Sequence, residues 1–153
     1  MDRYIAVIGP GSDASPEQLR DARTAGRLLA QAGAVVVTGG LGGVMAAAAA
    51  GAAEDGGTSI GILPGADRAM ADPAHTVSIP TGLGELRNGL VVRAADAVLC
   101  IGGSWGTLSE VALAVRAGKA VVAVGGWRLP EPGVTEVDDV VDAVGYVLST
   151  TVG

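Results

Sequence analysis

Residues 97–110 read AVLCIGGSWGTLSE, an apolar run that passes directly into a glycine-rich segment. The run Ala97 to Ile101 predicts a buried strand, and the pattern from Leu108 to Ala117 predicts a helix. Glycine at the junction lets the chain turn tightly and lets its backbone approach a ligand. The segment therefore predicts a strand, a ligand-binding loop and a helix of an α/β fold.

The same order of strand, loop and helix recurs along the 153 residues. The other predicted strands are Tyr4 to Ile8, Ala34 to Val37, Ser59 to Leu63, Val77 to Ile79 and Val121 to Val124. The other predicted helices are Pro16 to about Gln31, the alanine tract up to Gly56, about Gly84 to Ala95, and Glu136 to Leu148. Alternation of this kind predicts one Rossmann-like, doubly wound α/β domain over residues 1–153, with helices on both faces of a parallel sheet.

Composition narrows the classes of partner. The formal charge is −6 and the basic residues are scattered singly, which excludes nucleic acid as the main partner. The apolar stretches are short and the first ten residues do not resemble a signal peptide, so the expected location is the cytoplasm, without a membrane. The single cysteine, Cys100, lies in an apolar strand and is expected to be buried and inert.

Five predicted strands run directly into glycine or Pro-Gly, at Gly9, Gly39, Pro64-Gly65, Gly102 and Gly125. Open α/β sheets bind ligands in the crevice outside the carboxyl ends of their strands. The sequence therefore predicts a ligand site at this edge, beside which the aperiodic segment 66–74 is expected to form a mobile loop.

Two glycine loops are candidates for anion binding. Residues 39–45 read GGLGGVM and contain four glycines within five residues before a helix, so backbone N–H groups there can face an anion with the helix dipole behind them. The alternative is a tight turn with close packing. Residues 9–14 formally match G-x-G-x-x-G/A, but the expected helix begins too late and Thr38-Gly39 stands where a dinucleotide site needs an acidic residue.

The loop from Gly102 is the second candidate, with Thr107 and the first helical amides as donors. Glu110 follows Thr107 by three residues, so the alternative is a capping box in which Glu110 only closes the helix end. Arg87 and Asn88 lie on the preceding predicted helix, where a guanidinium can bind phosphate through two hydrogen bonds. Taken alone, Arg87 reads more simply as a solvated surface residue.

Arg87, Asp96 and the residues from Gly103 to Glu110 together resemble a known family. The sequence looks like the superfamily that joins the Lonely Guy (LOG) phosphoribohydrolases, often mislabelled lysine decarboxylases, with the molybdenum cofactor carrier proteins. Asp96 follows Arg87 by nine residues, as in that family, and Gly103, Gly106, Thr107 and Glu110 match its motif P-G-G-x-G-T-x-x-E. Gly102 replaces the proline, Ser104 the second glycine and Asn88 the usual lysine. These departures are more similar to the carrier branch.

The resemblance implies two functions. In the first, the chain binds a nucleoside 5'-monophosphate or the molybdenum cofactor without requiring another cofactor. In the second, it is a phosphoribohydrolase that cleaves the N-glycosidic bond of AMP or a cytokinin riboside monophosphate, with Arg87 and Glu110 as catalytic residues. In both, the expected assembly is a homodimer or homotetramer. The expected ligand contacts are Gly9, Ser12, Thr38, Gly39, Gly40, Gly42, Gly43, Met45, Asn88, Gly103, Ser104, Trp105, Gly106 and Thr107.

Three further residues help to exclude other sites. Lys119 is the only lysine and is predicted at the opposite edge of the sheet, which argues against a pyridoxal-dependent lysine decarboxylase. His75 is the only histidine and is expected at the surface. Asp96 opens its strand, which removes it from the ligand edge. No cluster has metal-site spacing, so no metal ligand is predicted.

Overall fold

The computed structural model describes residues 2–130 and 132–151. Within these ranges the strands are β1 (Arg3–Ile8), β2 (Ala34–Thr38), β3 (Ser59–Leu63), β4 (Val77–Pro80), β5 (Ala97–Ile101), β6 (Ala120–Val124) and β7 (Thr135–Val137). The α-helices are α1 (Pro16–Gln31), α2 (Val44–Glu54), α3 (Arg87–Ala94), α4 (Trp105–Arg116) and α5 (Val140–Ser149).

The strands form one sheet in the order β4-β3-β2-β1-β5-β6-β7, and every neighbouring pair is parallel. Strand order reverses between β1 and β5, because β2 to β4 extend the sheet in one direction and β5 to β7 in the other. The predicted Rossmann-like parallel sheet is confirmed. Ligands of such sheets bind at the point of reversal, above the carboxyl ends of the strands.

Side chains of β1 alternate between two apolar layers. Ile5 and Val7 pack with α1, α2 and α5, whereas Ala6 and Ile8 pack with α3 and α4. Both layers consist mainly of Val, Ala, Leu and Ile, in keeping with a hydrophobic content of 49% without phenylalanine. Cys100 belongs to the second layer, as predicted, and burial raises the pKa of its thiol to about 12.

Glycine brings α1 and α2 into close contact. A Cβ added at Gly26 would meet the carbonyl oxygen of Ala48, and one added at Gly51 would meet that of Arg23. These atoms belong to backbone, which cannot move aside as a flexible side chain can. The two helices therefore pack backbone to backbone behind the loop that precedes α2.

We expect Gly51→Ala to lower the free energy of unfolding by about 1–3 kcal/mol, because the added methyl group overpacks the helix crossing. This loss outweighs the helix propensity of alanine, which exceeds that of glycine by about 1 kcal/mol. Its control is Gly145→Ala in α5, where an added Cβ meets nothing within 4 Å. That variant should gain up to about 1 kcal/mol from helix propensity. Urea unfolding of both variants measures the difference, and an equal gain in the two would contradict a tight crossing.

Three predicted helix boundaries were wrong. Helix α4 begins at Trp105 rather than Leu108, because the Ser104 side chain caps it and accepts a hydrogen bond from the Thr107 N–H. Glu136 lies in β7 and not in the last helix, because residues 135–137 pair with β6 and Asp139 caps α5. The helix predicted from Gly84 begins with a single 3-10 turn, and α3 proper starts at Arg87.

Other local predictions agree with the structure. Ser15 and Gln18 form the capping box that starts α1, with Pro16 in the first turn. The segment 66–74, expected to be a mobile loop near the site, contains one 3-10 turn at Arg68–Met70. It is hydrogen bonded to the glycine loop through the Asp72 N–H and the Gly40 carbonyl, 3.0 Å apart, and its mobility stays a prediction.

Candidate functional site

A cleft of about 160 Å³ lies where strand order reverses, above the carboxyl ends of β1 and β5. Three loops surround it: the one after β1, the one before α2, and the one before α4. Helix α3 closes the remaining side. The lining residues are Val7, Ile8, Gly9, Gly11, Gly39, Met45, Arg87, Asn88, Ser104, Gly106, Thr107 and Glu110.

The cleft brings together nine of the sixteen residues predicted for the site: Gly9, Gly39, Met45, Arg87, Asn88, Ser104, Gly106, Thr107 and Glu110. Ser12 and Gly43 instead line a neighbouring groove of about 620 Å³ along α1 and α2. Thr38 and Gly40 are buried, and the Thr38 hydroxyl contacts both the His75 ring and the Gly40 N–H. Gly42, Gly103 and Trp105 lie outside the cleft lining.

Arg87 is the central polar group of the cleft. Its relative exposure is 9%, so it is not the solvated residue that it resembles in sequence. One terminal nitrogen donates to the Asn88 side-chain oxygen and the other to the Gly39 carbonyl at 3.3 Å, whereas the buried Nε has no partner. Burial lowers the pKa of the guanidinium, and the Glu110 carboxylate opposes this effect. A buried N–H without an acceptor costs about 1–3 kcal/mol.

Asn88 is held in place from two sides. Its oxygen accepts from Arg87, and its amide nitrogen donates to the Ser109 hydroxyl at 3.0 Å. The Ser109 hydroxyl in turn donates to the Gly106 carbonyl at 2.6 Å. These bonds connect α3 to the first turn of α4, so the guanidinium has a fixed position beside the loop.

Glu110 is not part of a capping box. The N-cap of α4 is Ser104, and Ser104 and Thr107 bond to one another through their hydroxyls at 2.8 Å. Glu110 stands one turn further along α4, with its side chain in the cleft and a relative exposure of 8%. The ion pairs found in the described part of the chain, Arg23 with Glu54 and Arg27 with Asp55, do not include it. Its carboxyl group is therefore available to a ligand.

Glycines of the cleft fall into two kinds. A Cβ at Gly39 would lie 2.7 Å from both an Arg87 terminal nitrogen and the Met45 sulfur, so a side chain at this position would displace Arg87 and Met45 in the cleft. At Gly106 the nearest atom to an added Cβ is the Ser104 hydroxyl at 4.0 Å. The surrounding protein atoms therefore leave room for a side chain at residue 106, which faces the cleft. Contacts within the protein do not account for this glycine.

The model of the SLOG cluster4 family matches residues 2–149. The chain belongs to this family. The SLOG cluster4 chain is also 34% identical to the molybdenum cofactor binding protein from Rippkaea orientalis, with 99% of each chain covered and a TM-score of 0.94. The molybdenum cofactor carrier protein from Chlamydomonas reinhardtii is 34% identical, with 97% of this chain and 98% of that chain covered and a TM-score of 0.89.

A third relative is an uncharacterized protein from Archaeoglobus fulgidus, 38% identical over 148 residues, which are 97% of this chain and 96% of that protein. The resemblance predicted from Arg87, Asp96 and the glycine loops is confirmed by the family match and by these structures.

Other predicted residues of this SLOG cluster4 chain lie away from the cleft. The Asp96 carboxylate accepts from the Tyr4 N–H at 2.8 Å, at the amino edge of the sheet. Lys119 donates to the carbonyls of Arg93 and Ala95 at the same edge. Trp105 is 80% exposed and meets Trp127 edge to face, with ring centroids 4.9 Å apart. The contact with Trp127 was not predicted.

The prediction for His75 was wrong, because its ring is buried against Thr38 under the glycine loop. Gly11 was missed although it borders both the cleft and the larger groove. Among residues 2–130 and 132–151, no cluster of histidine, cysteine or acidic side chains is arranged to hold a metal ion. None of the described helices has the length and apolar character needed to cross a bilayer.

Burial raises the pKa of the Glu110 carboxyl group from its ordinary 4.5 to about 7, and the Arg87 charge limits the rise. Near neutral pH a substantial fraction of the group is thus protonated. Protonated Glu110 donates a hydrogen bond and does not repel an anion. A protonated Glu110 is therefore compatible with the anion-binding loops expected from the sequence.

Glu110→Gln should make the SLOG cluster4 chain more stable at neutral pH than the wild type. The folded state holds the Glu110 proton up to about pH 7, whereas the unfolded state releases it near 4.5, so the wild type loses stability as pH rises between these values. The advantage of the variant should grow by up to about 3 kcal/mol over this range. Urea unfolding across pH measures it, with exposed Glu85→Gln as control; a constant difference for Glu110→Gln would contradict the raised pKa.

Proposed function

We propose that this chain binds a phosphorylated, nucleotide-like ligand in the cleft and holds it without chemical change, in the cytoplasm, with the molybdenum cofactor as the favoured ligand. The observation that carries the proposal is Arg87, a buried cation with an unpartnered Nε, at the point of strand reversal. A guanidinium in this setting binds phosphate with charge-assisted hydrogen bonds.

The wall of the cleft suits a phosphate group on two sides. Helix α2 has Gly43 as its N-cap and no side-chain cap. The Val44 N–H donates to the Pro10 carbonyl at 3.0 Å, so the N–H groups that follow it in the first turn are the ones that can donate to an anion. On the other side, Gly106 lies in the first turn of α4 and leaves space for a ligand. The cleft has a volume of about 160 Å³. Pockets that enclose a whole small molecule typically have volumes of about 300 Å³ or more, so this cleft is too small to enclose one. We therefore place the phosphate in the cleft and the rest of the ligand outside it, toward Gly11.

The named relatives support the molybdenum cofactor as this ligand. Two proteins described as binding or carrying this cofactor match almost the whole chain at 34% identity. The cofactor is a pterin that carries a phosphate, which fits a cleft built around one arginine and glycine backbone. In this proposal the cofactor is cargo, and the described residues include no metal-binding cluster that would anchor it through its metal.

Binding without cleavage agrees with the count of acids in the cleft. Glycoside hydrolysis commonly uses two carboxyl groups. Glu110 is the only acidic residue among those that line the cleft in the described ranges. Asp13 is exposed on its loop, and Asp96 is at the other edge of the sheet.

One observation favours the alternative, a phosphoribohydrolase. Glu110 has a pKa of about 7, which suits a general acid that protonates a departing base. In that reaction the loops from Gly39 and Gly102 would hold the phosphate of a nucleoside 5'-monophosphate, and Arg87 would orient it. Water would then attack the sugar carbon from which the base departs, giving free base and ribose 5-phosphate.

Chromatography of the purified chain with AMP and isopentenyl-AMP separates these functions. We expect both nucleotides to be recovered intact, and we expect wild type and Glu110→Gln to give the same result. Release of free base by the wild type, absent in Glu110→Gln, would refute the carrier function and establish the hydrolase.

A second copy of the chain is the partner that we propose. The face formed by α3 and α4 exposes Leu86, Leu90 and Leu113 around a groove of about 370 Å³. Exposed apolar surface of this kind supports the homodimer or homotetramer that the family resemblance implies. Light scattering on the wild type and on Leu90→Glu tests it: a monomeric wild type would contradict the proposal.

A further inference from the structure

His75 lies directly beneath the loop that carries Gly39 and Gly40. Its Nε2 is 2.6 Å from the Thr38 hydroxyl oxygen, and that oxygen accepts a hydrogen bond of 3.0 Å from the Gly40 N–H. On the other side of the ring, Nδ1 is 3.1 Å from the carbonyl oxygen of Asp72. The ring therefore joins the segment before β4 to the glycine loop after β2.

These contacts determine the tautomer of His75. The Asp72 carbonyl can only accept, so Nδ1 carries the proton. Nε2 then accepts from the Thr38 hydroxyl, whose oxygen remains free to accept from Gly40. Every donor has an acceptor while the ring is neutral. A protonated ring presents a second N–H to the fully buried Thr38 hydroxyl, whose own hydrogen must then turn away from Nε2.

The loop held in this way contacts the arginine of the cleft. The Gly39 carbonyl, one residue before Gly40, accepts from Arg87 at 3.3 Å. The Gly40 carbonyl accepts from the Asp72 N–H at 3.0 Å, which ties the loop a second time to the segment that holds the ring. A Cβ added at Gly61 would lie 2.8 Å from the Gly40 Cα and 3.0 Å from the ring, so the packing leaves little freedom.

We propose that His75 is a positioning residue: its neutral ring, acting through the Thr38 hydroxyl and the Gly40 N–H, holds Gly39 against Arg87, and protonation of the ring weakens this hold on the loop. A weaker hold on phosphorylated ligand in acid follows from this, and that consequence rests on the proposed function. His75 is the only histidine of the chain, so no other histidine can form such a contact.

The charges around the ring agree with a neutral state. Burial lowers the pKa of His75, and the hydrogen bond to the Asp72 backbone and the Asp72 carboxylate oppose the effect. Asp72 is the charged residue that acts on the ring, and its carboxylate accepts from the Ala74 N–H at 2.9 Å. Thr38, Gly40 and Gly61, which pack on the ring from β2, its loop and β3, carry no charge.

Nuclear magnetic resonance tests the proposal without a ligand. With one histidine in the chain, the ring nitrogens give a single set of signals, which we expect to report the Nδ1–H tautomer at neutral pH. On acidification through the His75 titration, the Gly40 amide signal should shift together with the ring. An Nε2–H tautomer, or a Gly40 amide that does not follow the ring, would overturn the proposal.

Matched variants separate positioning from folding. Thr38→Ser keeps the hydroxyl and should retain the Gly40 shift, whereas Thr38→Val removes it and should increase hydrogen exchange of the Gly40 amide by about tenfold. His75→Gln keeps an acceptor for Thr38 but does not titrate, so its Gly40 amide should be insensitive to pH. Equal exchange in Thr38→Ser and Thr38→Val would overturn the proposal.

Isothermal titration calorimetry with AMP, done on the same variants at neutral pH, tests ligand binding independently of the resonance measurements. Thr38→Val should lower affinity about tenfold and Thr38→Ser by less than about twofold. A wild type that binds no AMP would contradict nucleotide binding, while the resonance data would still decide the role of His75. Normal AMP binding by Thr38→Val would overturn the link from the loop to the cleft.

Discussion

Arg87→Gln should lower the affinity of the chain for a phosphorylated ligand by about 100-fold or more. The variant removes the buried charge in the cleft together with the Nε that has no partner among the described residues. Arg87→Lys retains a charge but lacks the planar fork, so it should recover only part of the affinity. Isothermal titration calorimetry with AMP measures all three proteins.

The matched control is Arg93→Gln, because Arg93 is on the same helix but is exposed and outside the cleft. Arg93 also lines the groove between α3 and α4, so light scattering checks that the variant keeps the wild-type assembly. Arg93→Gln removes the same formal charge and should change affinity by less than about twofold at physiological salt. Thermal unfolding of each variant checks that it is folded. Equal losses in Arg87→Gln and Arg93→Gln would mean that net charge, and not the cleft, determines binding.

Gly106→Ala should lower ligand affinity by about 10- to 100-fold without destabilising the chain. The added methyl group meets no protein atom closer than 4.0 Å, and alanine is favoured over glycine in a helix. The cost appears only when a ligand approaches the first turn of α4. Calorimetry and urea unfolding of the same preparation measure the two effects.

Gly145→Ala provides the comparison, since it makes the same change at an exposed helical position far along the chain. It should leave ligand affinity unchanged. If Gly106→Ala bound ligand as tightly as the wild type, the ligand would not approach this turn. If it lost affinity together with stability, the glycine would serve packing instead.

The fold was predictable because its signals are local. Apolar runs that end in glycine indicated the parallel strands, and Ser15 with Gln18 indicated the start of α1. The edge strand β7 was missed because the valines at 137, 140, 141 and 144 also fit helical spacing, and only pairing with β6 distinguishes the two.

The site was predictable to the extent that it lies on loops after strands. Parallel strands bring their carboxyl ends to one edge, so Gly9, Gly39 and Gly106 were expected together and line one cleft. The burial of a side chain depends on residues that are distant in sequence but close in space, which local sequence patterns do not show. The sequence left open whether Arg87 is buried, and it did not reveal that His75 reaches Thr38 across 37 positions.

The most direct test of the central claim is to offer the chain molybdenum cofactor released from a denatured molybdenum enzyme and to quantify the pterin that stays bound after gel filtration. Wild type should retain close to one equivalent of cofactor, recovered with its phosphate intact, and Arg87→Gln should retain almost none. Equal retention by both proteins, or recovery of a cleaved product, would contradict a cleft that holds a phosphorylated ligand unchanged around Arg87.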